Sequence, residues 1–146
     1  MEAVAQNIEQ LVDGFLSAIT KQGIDWEYKP NPDKWSKKEI IGHLIDSATN
    51  NLHRFVRCTY EQEFKLIYAQ NEWVIAQNYQ HSDINDLLAL WRLLNQRIAA
   101  VLRFYPQQKL QNTCDTGKQE VNLHTVEFLA NDYVAHLSHH LKQIAI

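Results

Sequence analysis

Apolar residues recur at steps of three and four positions in four long segments of this sequence, and that periodicity constrains the fold more than any other feature. Such spacing places apolar side chains on one face of an α-helix. Only four glycines and three prolines leave little material for the tight turns that an all-β chain needs. The pattern predicts four helices. The first covers residues 3–20 and the second runs from Ser36 to about Val56. The third begins at a cap, Ser82 or Asp83, and ends at about Leu102, and the fourth begins at a cap, Asn122 or Thr125, and continues to the C-terminus.

The start of the second helix carries the clearest local signal. Ser36 and Glu39 form the S-x-x-E pattern, in which each side chain satisfies a free backbone N–H at a helix start. The preceding "KPNPDKWS" contains two prolines and predicts an irregular connection. Residues 59–81 hold aromatic side chains without one clean period, so they predict a long connection with a short helix. Residues 106–121 predict a loop or a hairpin.

Together these elements predict an all-α fold, a four-helix bundle with long connections in which the apolar stripes meet along one axis. A chain of this length removes about two-thirds of its unfolded surface from water and is too short for two comfortable domains. No internal repeat or change of composition marks a boundary. We therefore expect a single domain over residues 1–146.

Charge and hydropathy exclude two classes of partner. The 14 Lys and Arg against 17 Asp and Glu give a net charge of −3, which supplies no broad basic field for nucleic acid. The sequence has neither a secretory apolar region near Met1 nor an apolar stretch long enough for a membrane span, so we expect a cytoplasmic protein without membrane association. Cys58 and Cys114 lack metal-site spacing and are expected to be free thiols, and Cys58 has no local signal of an activated nucleophile.

Three of the seven histidines lie close together near the end of the chain, in "HLSHH". His136 and His140 stand four residues apart, which stacks their rings on one helical face at a separation that a single metal ion can bridge. From the centre of the apolar stripe, His140 lies about 60° away, His136 about 100° and His139 about 160°. His139 is therefore expected to face solvent.

A catalytic ion of the zinc type takes three protein ligands, so a third imidazole must come from another helix. His43 is the best candidate, because its helical face continues through a polar stripe. The other members of that stripe are Ser47, Asn50 and Arg54. The same face points nearly opposite the apolar stripe, so a solvated surface histidine is the alternative interpretation.

The remaining polar candidates have no partner at useful spacing. His53, His81 and His124 are expected to be surface or capping residues. Asp132, one turn before His136, is either an outer partner that orients an imidazole or a surface carboxylate.

Aromatic residues are abundant in "IYAQNEWVIAQNYQ", residues 67–80. This segment is expected to form a pocket wall or lid beside the metal, although its aromatic residues can equally cover the bundle core. Those residues are Tyr68, Trp73 and Tyr79. Packing roles are expected for the tryptophans Trp26, Trp35 and Trp91.

Four blocks resemble the DinB-like superfamily, including its YfiT-type metal-dependent hydrolases, in order and approximate spacing. They are "KWSKKEIIGHLIDSATNN", "YAQNEWV…NYQ", "DLLALWRLLNQRIAAVL" and "YVAHLSHHLKQI", from about Lys34 to the end. The resemblance implies a four-helix bundle, a homodimer and one divalent metal ion held by three histidines. Carried over by position, the metal ligands are His43, His136 and His140.

The resemblance also implies chemistry, because the superfamily includes transferases of low-molecular-weight thiols and a mycothiol-dependent isomerase. It predicts that the ion, zinc or nickel, binds a thiol cosubstrate and presents it as the thiolate to a small electrophilic molecule. A hydrolase is the alternative and needs a general base, for which Asp46 and Asp132 are the only acidic residues one turn from the ligands. A dimeric bundle that only binds a metal or a small ligand is the third possibility.

Overall fold

Four long helices and one short helix dominate the computed structural model, which describes residues 1–145. In chain order the helices are α1 (Glu2–Ile19), α2 (Lys37–Arg57), α3 (Gln70–Gln77), α4 (Ile84–Arg103) and α5 (Val126–Ile144). Helices α1 and α2 each pack against both α4 and α5, which gives the predicted four-helix bundle. The prediction that the last helix continues to the C-terminus lies outside the described residues at position 146.

The helix starts follow the capping chemistry of the sequence. The Ser36 hydroxyl accepts the Glu39 N–H at 3.1 Å, and the Glu39 carboxylate accepts the Ser36 N–H at 2.8 Å, so the predicted capping box at α2 is confirmed. Of the alternative caps, Asp83 caps α4 and Thr125 caps α5. Each cap fixes the residue at which its helix begins.

The core lies between the four long helices. Trp91 of α4 is fully buried and meets Phe15 of α1 edge to face, with ring centroids 5.5 Å apart. Helix α2 is the most enclosed helix, because its buried residues occupy nearly the whole circumference from Ile41 to Ala48. No helix within residues 1–145 has the length and apolar character that crossing a membrane requires.

A small three-stranded sheet joins two connections of the bundle. Its strands are β1 (Phe64–Lys65), β2 (Thr113–Asp115) and β3 (Leu123–Thr125). β2 pairs antiparallel with β3, which confirms the hairpin alternative, and β1 adds to β2 in parallel. The Asp115 carboxylate accepts the N–H groups of Gly117 and Asn122 at 2.9 Å and so closes the turn. Strands of two or three residues are too short for a pattern of alternation, and the sequence predicted no sheet.

The short helix expected in residues 59–81 is α3, and the 3₁₀ turn after it (Tyr79–His81) packs on α2. Gly42 makes this close approach possible. A Cβ at residue 42 would lie 2.0 Å from Cδ2 of the Tyr79 ring, which cannot retreat because it is buried in the core. The aromatic ring therefore rests directly on the helix backbone beside His43.

Replacing Gly42 by alanine is expected to destabilise the protein by about 1–3 kcal/mol, because the added methyl group overpacks the contact with Tyr79. Gly14→Ala is the matched control, since the same change in α1 meets open space and is expected to stabilise by up to about 1 kcal/mol through helix propensity. Urea unfolding followed by circular dichroism measures both. Equal stabilisation by the two substitutions would contradict this packing.

Candidate metal centre

The packing of α2 against α5 brings three of the seven histidines together. His43 lies in the second turn of α2, and His136 and His140 lie one turn apart on α5. One ring nitrogen from each residue falls within 4.8 Å of the others. Nε2 of His43 is 3.1 Å from Nε2 of His136. The structure thus brings together the three histidines that the sequence selected and leaves the other four outside this cluster.

His43 is 1% exposed, so the alternative interpretation of a solvated surface histidine is wrong. The reason lies in the tertiary packing of α2, whose second face is covered by α5, α3 and the connection before α2. Trp35 of that connection stacks on the His43 imidazole with ring centroids 4.7 Å apart. A helical-wheel projection of α2 alone cannot show that other elements of the fold cover this face.

A single amide side chain orients His140. Gln143 accepts a hydrogen bond from Nδ1 of His140 at 2.8 Å through its carbonyl oxygen, and its amide nitrogen lies 3.2 Å from Nε2 of His139. The two contacts agree, because an amide that donates to His139 presents its oxygen to His140. With the proton held on Nδ1, Nε2 of His140 keeps a free lone pair.

His139 is exposed as predicted. Its Nε2 accepts a hydrogen bond from the amide nitrogen of Gln143 and so fixes the orientation of that amide. Sequence reasoning missed Gln143. The signal was its spacing, three residues after His140 and four after His139, which places all three side chains on neighbouring positions of one helix.

The Nδ1 atoms of His136 and His43 have weaker contacts than Nδ1 of His140. Nδ1 of His136 is 3.5 Å from the Ser47 hydroxyl, and Nδ1 of His43 is buried without a partner. Asp132 makes no hydrogen bond among the described residues and is exposed, so of its two alternative interpretations the structure has the surface carboxylate and not the imidazole-orienting partner. The Ser47 hydroxyl of α2 is instead the side-chain oxygen beside Nδ1 of His136.

Burial keeps these imidazoles neutral. Loss of solvent, together with the neighbouring imidazoles of the cluster, lowers the pKa of His43 to about 3 and that of His136 to about 4. Burial also lowers the pKa of His140, although its hydrogen bond to Gln143 opposes that shift. All three are therefore uncharged at neutral pH, the state in which imidazole binds a metal.

The cluster fits a divalent ion of the zinc type. Nitrogen ligands at about 2.0–2.1 Å from one ion stand roughly 2.8–3.4 Å apart, for angles between 90° and tetrahedral, and the two facing Nε2 atoms already have such a separation. Without a bound ion, two neutral imidazole nitrogens that face each other can form only one hydrogen bond, in which one nitrogen donates and the other accepts. Three imidazoles without a carboxylate suit zinc, nickel, copper or iron.

No acidic residue near the cluster forms a hydrogen bond with one of its three imidazoles among the described residues. Asp46 is buried and accepts hydrogen bonds from the hydroxyl of Tyr79 at 2.6 Å and from the amide of Gln77. Burial raises its pKa, and those two hydrogen bonds oppose the shift. Asp46 thus anchors Gln77 and Tyr79 to α2 through one carboxylate oxygen, while its other oxygen is buried without a hydrogen-bond partner and makes no hydrogen bond to an imidazole of the cluster.

The remaining histidines have the surface positions that were expected. His53 and His81 are exposed, and His81 contacts the Asn78 side chain through Nδ1 at 2.8 Å. His124 is half-buried and stacks on Phe128 with ring centroids 4.2 Å apart.

A cavity of about 810 Å³ opens beside His140. The connection between α1 and α2 forms most of its wall, and the lining includes Tyr28, Lys34, Trp35, Lys37, Asn71 and Gln143. The segment 67–80 was expected to form this wall and contributes only Asn71. Tyr79 takes the alternative core role, and Tyr68 packs edge-on against Trp73. Trp35, interpreted from sequence as a packing residue only, lies between the cavity and His43.

Comparison with known proteins places this architecture in a family. A sequence model of the DinB superfamily matches residues 2–144. The chain belongs to the DinB superfamily. Among curated proteins, the "Putative metal-dependent hydrolase YfiT" of Bacillus subtilis strain 168 is 26% identical over 148 residues, covering 99% of this chain and 78% of that protein.

Two solved structures share the fold. YfiT from Bacillus subtilis, described as an unusual four-helix bundle, superposes with a TM-score of 0.85 at 23% identity over 97% of this chain and 82% of its own. A mycothiol-dependent maleylpyruvate isomerase, solved in a mutant form, superposes with a TM-score of 0.79 at 9% identity, covering 99% of this chain and 61% of its own. At these identities the superpositions establish the fold, and the bundle predicted from sequence is confirmed.

Both cysteines of this DinB member are shielded from reagents in the folded state. Cys58 and Cys114 are buried, and burial raises the pKa of Cys58 to about 12. We expect neither thiol to react with a disulfide reagent such as DTNB at pH 8 until the protein is unfolded, when both react. The measurement is the absorbance of released thiolate with and without guanidinium. Rapid modification of the native protein would contradict the burial.

Proposed function

We propose that this protein is a metal-dependent enzyme that transfers a low-molecular-weight thiol to a small electrophilic molecule. The observation that carries the proposal is the convergence of three neutral imidazoles, without a carboxylate among the described residues of the cluster, beside a cavity of about 810 Å³. His43, His136 and His140 would hold the ion, each through one ring nitrogen. When bound, the ion lowers the pKa of a coordinated thiol and so supplies a thiolate at neutral pH.

The chain's own residues supply binding and orientation. Trp35 fixes the plane of the His43 ring, and Gln143 keeps the proton of His140 on Nδ1 so that Nε2 faces the cluster. Tyr28 and Trp35 give the cavity an aromatic wall for an organic substrate, while Lys34 and Lys37 place positive charge on its rim. Such a cavity accommodates a molecule of cosubstrate size beside the metal.

Thiol transfer is preferred over hydrolysis because no carboxylate hydrogen-bonds to an imidazole of the cluster among the described residues. Asp46 accepts its hydrogen bonds from Tyr79 and Gln77 on one carboxylate oxygen, its other oxygen is buried without a partner, and Asp132 is exposed. Activation of a thiol by a bound ion would need no general base at the cluster, whereas activation of water is assisted by one. The relationship to the mycothiol-dependent isomerase supports the same choice.

A metal-dependent hydrolase is the second candidate, and the description of the Bacillus subtilis relative favours it. The two functions would share the metal-binding residues and differ in whether the bound ion activates a thiol or water. The single-domain organisation over residues 1–146, the homodimer and the cytoplasmic location stay predictions.

Metal content tests the ligand assignment. Protein purified without chelator is expected to carry about one divalent ion per chain, zinc or nickel, measured by plasma mass spectrometry. His136→Ala is expected to abolish the bound ion, because two imidazoles do not retain it. His53→Ala is the matched control, since it removes an exposed imidazole of α2 that lies outside the cluster and contacts none of its members. Equal metal content in the two variants, both folded by circular dichroism, would rule out the assignment.

Turnover tests the reaction class. Zinc- or nickel-loaded protein is expected to accelerate conjugation of a small thiol to a model electrophile such as chlorodinitrobenzene, and removal of the ion by chelator is expected to abolish the acceleration. The same preparations are assayed for metal-dependent hydrolysis of ester and amide substrates. Hydrolysis without thiol conjugation would replace our proposal by the hydrolase, and neither activity in a metal-loaded protein would favour a binding role.

A further inference from the structure

Arg54 is a half-buried cation without an anionic partner among the described residues. Its Nη2 donates to the Leu66 carbonyl at 2.7 Å and its Nη1 to the Asn51 side chain at 3.4 Å, while Nε is buried without an acceptor. It forms no ion pair with any carboxylate among residues 1–145, whereas Arg57 and Arg103 both do. An unpaired guanidinium with a buried, unused N–H costs free energy, so a missing acceptor is expected at this place.

The guanidinium lines a second, smaller cavity that shares a wall with the histidine cluster. This Arg54 cavity has a volume of about 160 Å³, roughly five water molecules, which is enough room for a carboxylate with a short carbon chain. Its polar lining comes from Ser47, Asn51 and Arg54 of α2, Tyr68 of the connection, and Asp132 and His136 of α5. The His136 imidazole thus belongs both to the candidate metal centre and to this cavity.

The lining offers donors for one anionic group. Arg54 retains Nε–H and further N–H groups, and the hydroxyls of Ser47 and Tyr68 lie on the same walls. Asp132 is exposed at this cavity and carries negative charge. That carboxylate opposes a doubly charged group such as a phosphate monoester and leaves a single carboxylate as the anion that fits.

Helix geometry sets how far this anion lies from the metal centre. His43 and Arg54 are eleven residues apart on α2, or about 16 Å along the axis. Helical side chains lean toward the N-terminus, so the long Arg54 side chain covers part of that distance. A span of roughly 10 Å or less remains between the guanidinium and the imidazoles.

We propose that the Arg54 cavity is a carboxylate subsite of the same active site, so that the thiol or its acceptor is a small carboxylic acid. Its reactive end lies at the three histidines and its carboxylate binds Arg54. This inference rests on the proposed function for the reactive end only, because the carboxylate contact itself needs no metal. Arg54 is thus a specificity-determining residue.

A series of thiols tests both the charge and the span. Zinc-loaded protein is titrated calorimetrically with 3-mercaptopropionate, 6-mercaptohexanoate and 8-mercaptooctanoate, each compared with the thiol alcohol of equal length. At least one acid is expected to bind about tenfold more tightly than its alcohol, the size expected for hydrogen bonds to a charged group. The preferred chain length measures the span between the two sites.

Variants at the cavity are expected to act in opposite directions. Arg54→Gln is expected to abolish the preference for the acid, while Asp132→Asn, which removes negative charge facing the same cavity, is expected to preserve or increase it. Arg97→Gln is the matched control, because it removes one exposed arginine from α4. Equal binding of acids and alcohols in the wild type, or a preference that survives Arg54→Gln, would overturn the proposal.

A second measurement decides the matter when thiols do not bind the metal-loaded protein or when Arg54→Gln does not fold. Metal-free wild-type protein is titrated with propionate while the arginine Nε–H signals are followed by NMR, with Arg54→Lys used to assign the signal of residue 54. A saturable shift of the Arg54 signal supports the carboxylate subsite even where the thiol reaction has failed. No shift at saturating propionate would overturn it.

Discussion

The contact between α2 and α5 is the constraint on which the candidate site depends. It places one imidazole of α2 against two imidazoles of α5, with facing Nε2 atoms 3.1 Å apart. The surrounding elements then remove water from the cluster, which keeps the rings neutral and raises the cost of leaving their polar atoms without a partner. A cation that accepts three lone pairs satisfies those atoms together.

Polar residues on a buried helix connect this centre with its surroundings. Helix α2 carries His43, Asp46, Ser47 and Asn51 in buried positions, where a helix of an ordinary bundle carries apolar side chains. Asp46 anchors the segment after α3, Ser47 lies between His136 and the Arg54 cavity, and Asn51 contacts Arg54. The stability of α2 and the arrangement of the site are therefore aspects of one set of contacts.

Sequence reasoning succeeded where the determining interactions are local. The apolar period predicted the four long helices, the Ser36–Glu39 pair predicted the start of α2, and the spacing of His136 and His140 placed their rings on one face. It failed where the structure depends on contacts between segments that are distant in the sequence. The burial of His43 depends on Trp35 in the connection before α2 and on the packing of α3 and α5 against α2. The sheet depends on strands that are too short to show a pattern of alternation. The amide of Gln143 joined two histidines through spacing that was present in the sequence and not used.

The pairing of β1 with β2 has a consequence for the order in which the molecule assembles. Phe64 and Cys114 are register partners although they are about fifty residues apart in the chain. Closing so long a loop costs entropy, and a strand of two residues returns few hydrogen bonds. We therefore expect the pairing to form after α2 and α4 have docked and brought its two ends near each other, and the amide hydrogens in β1 to exchange with solvent through local opening well before those of the bundle core.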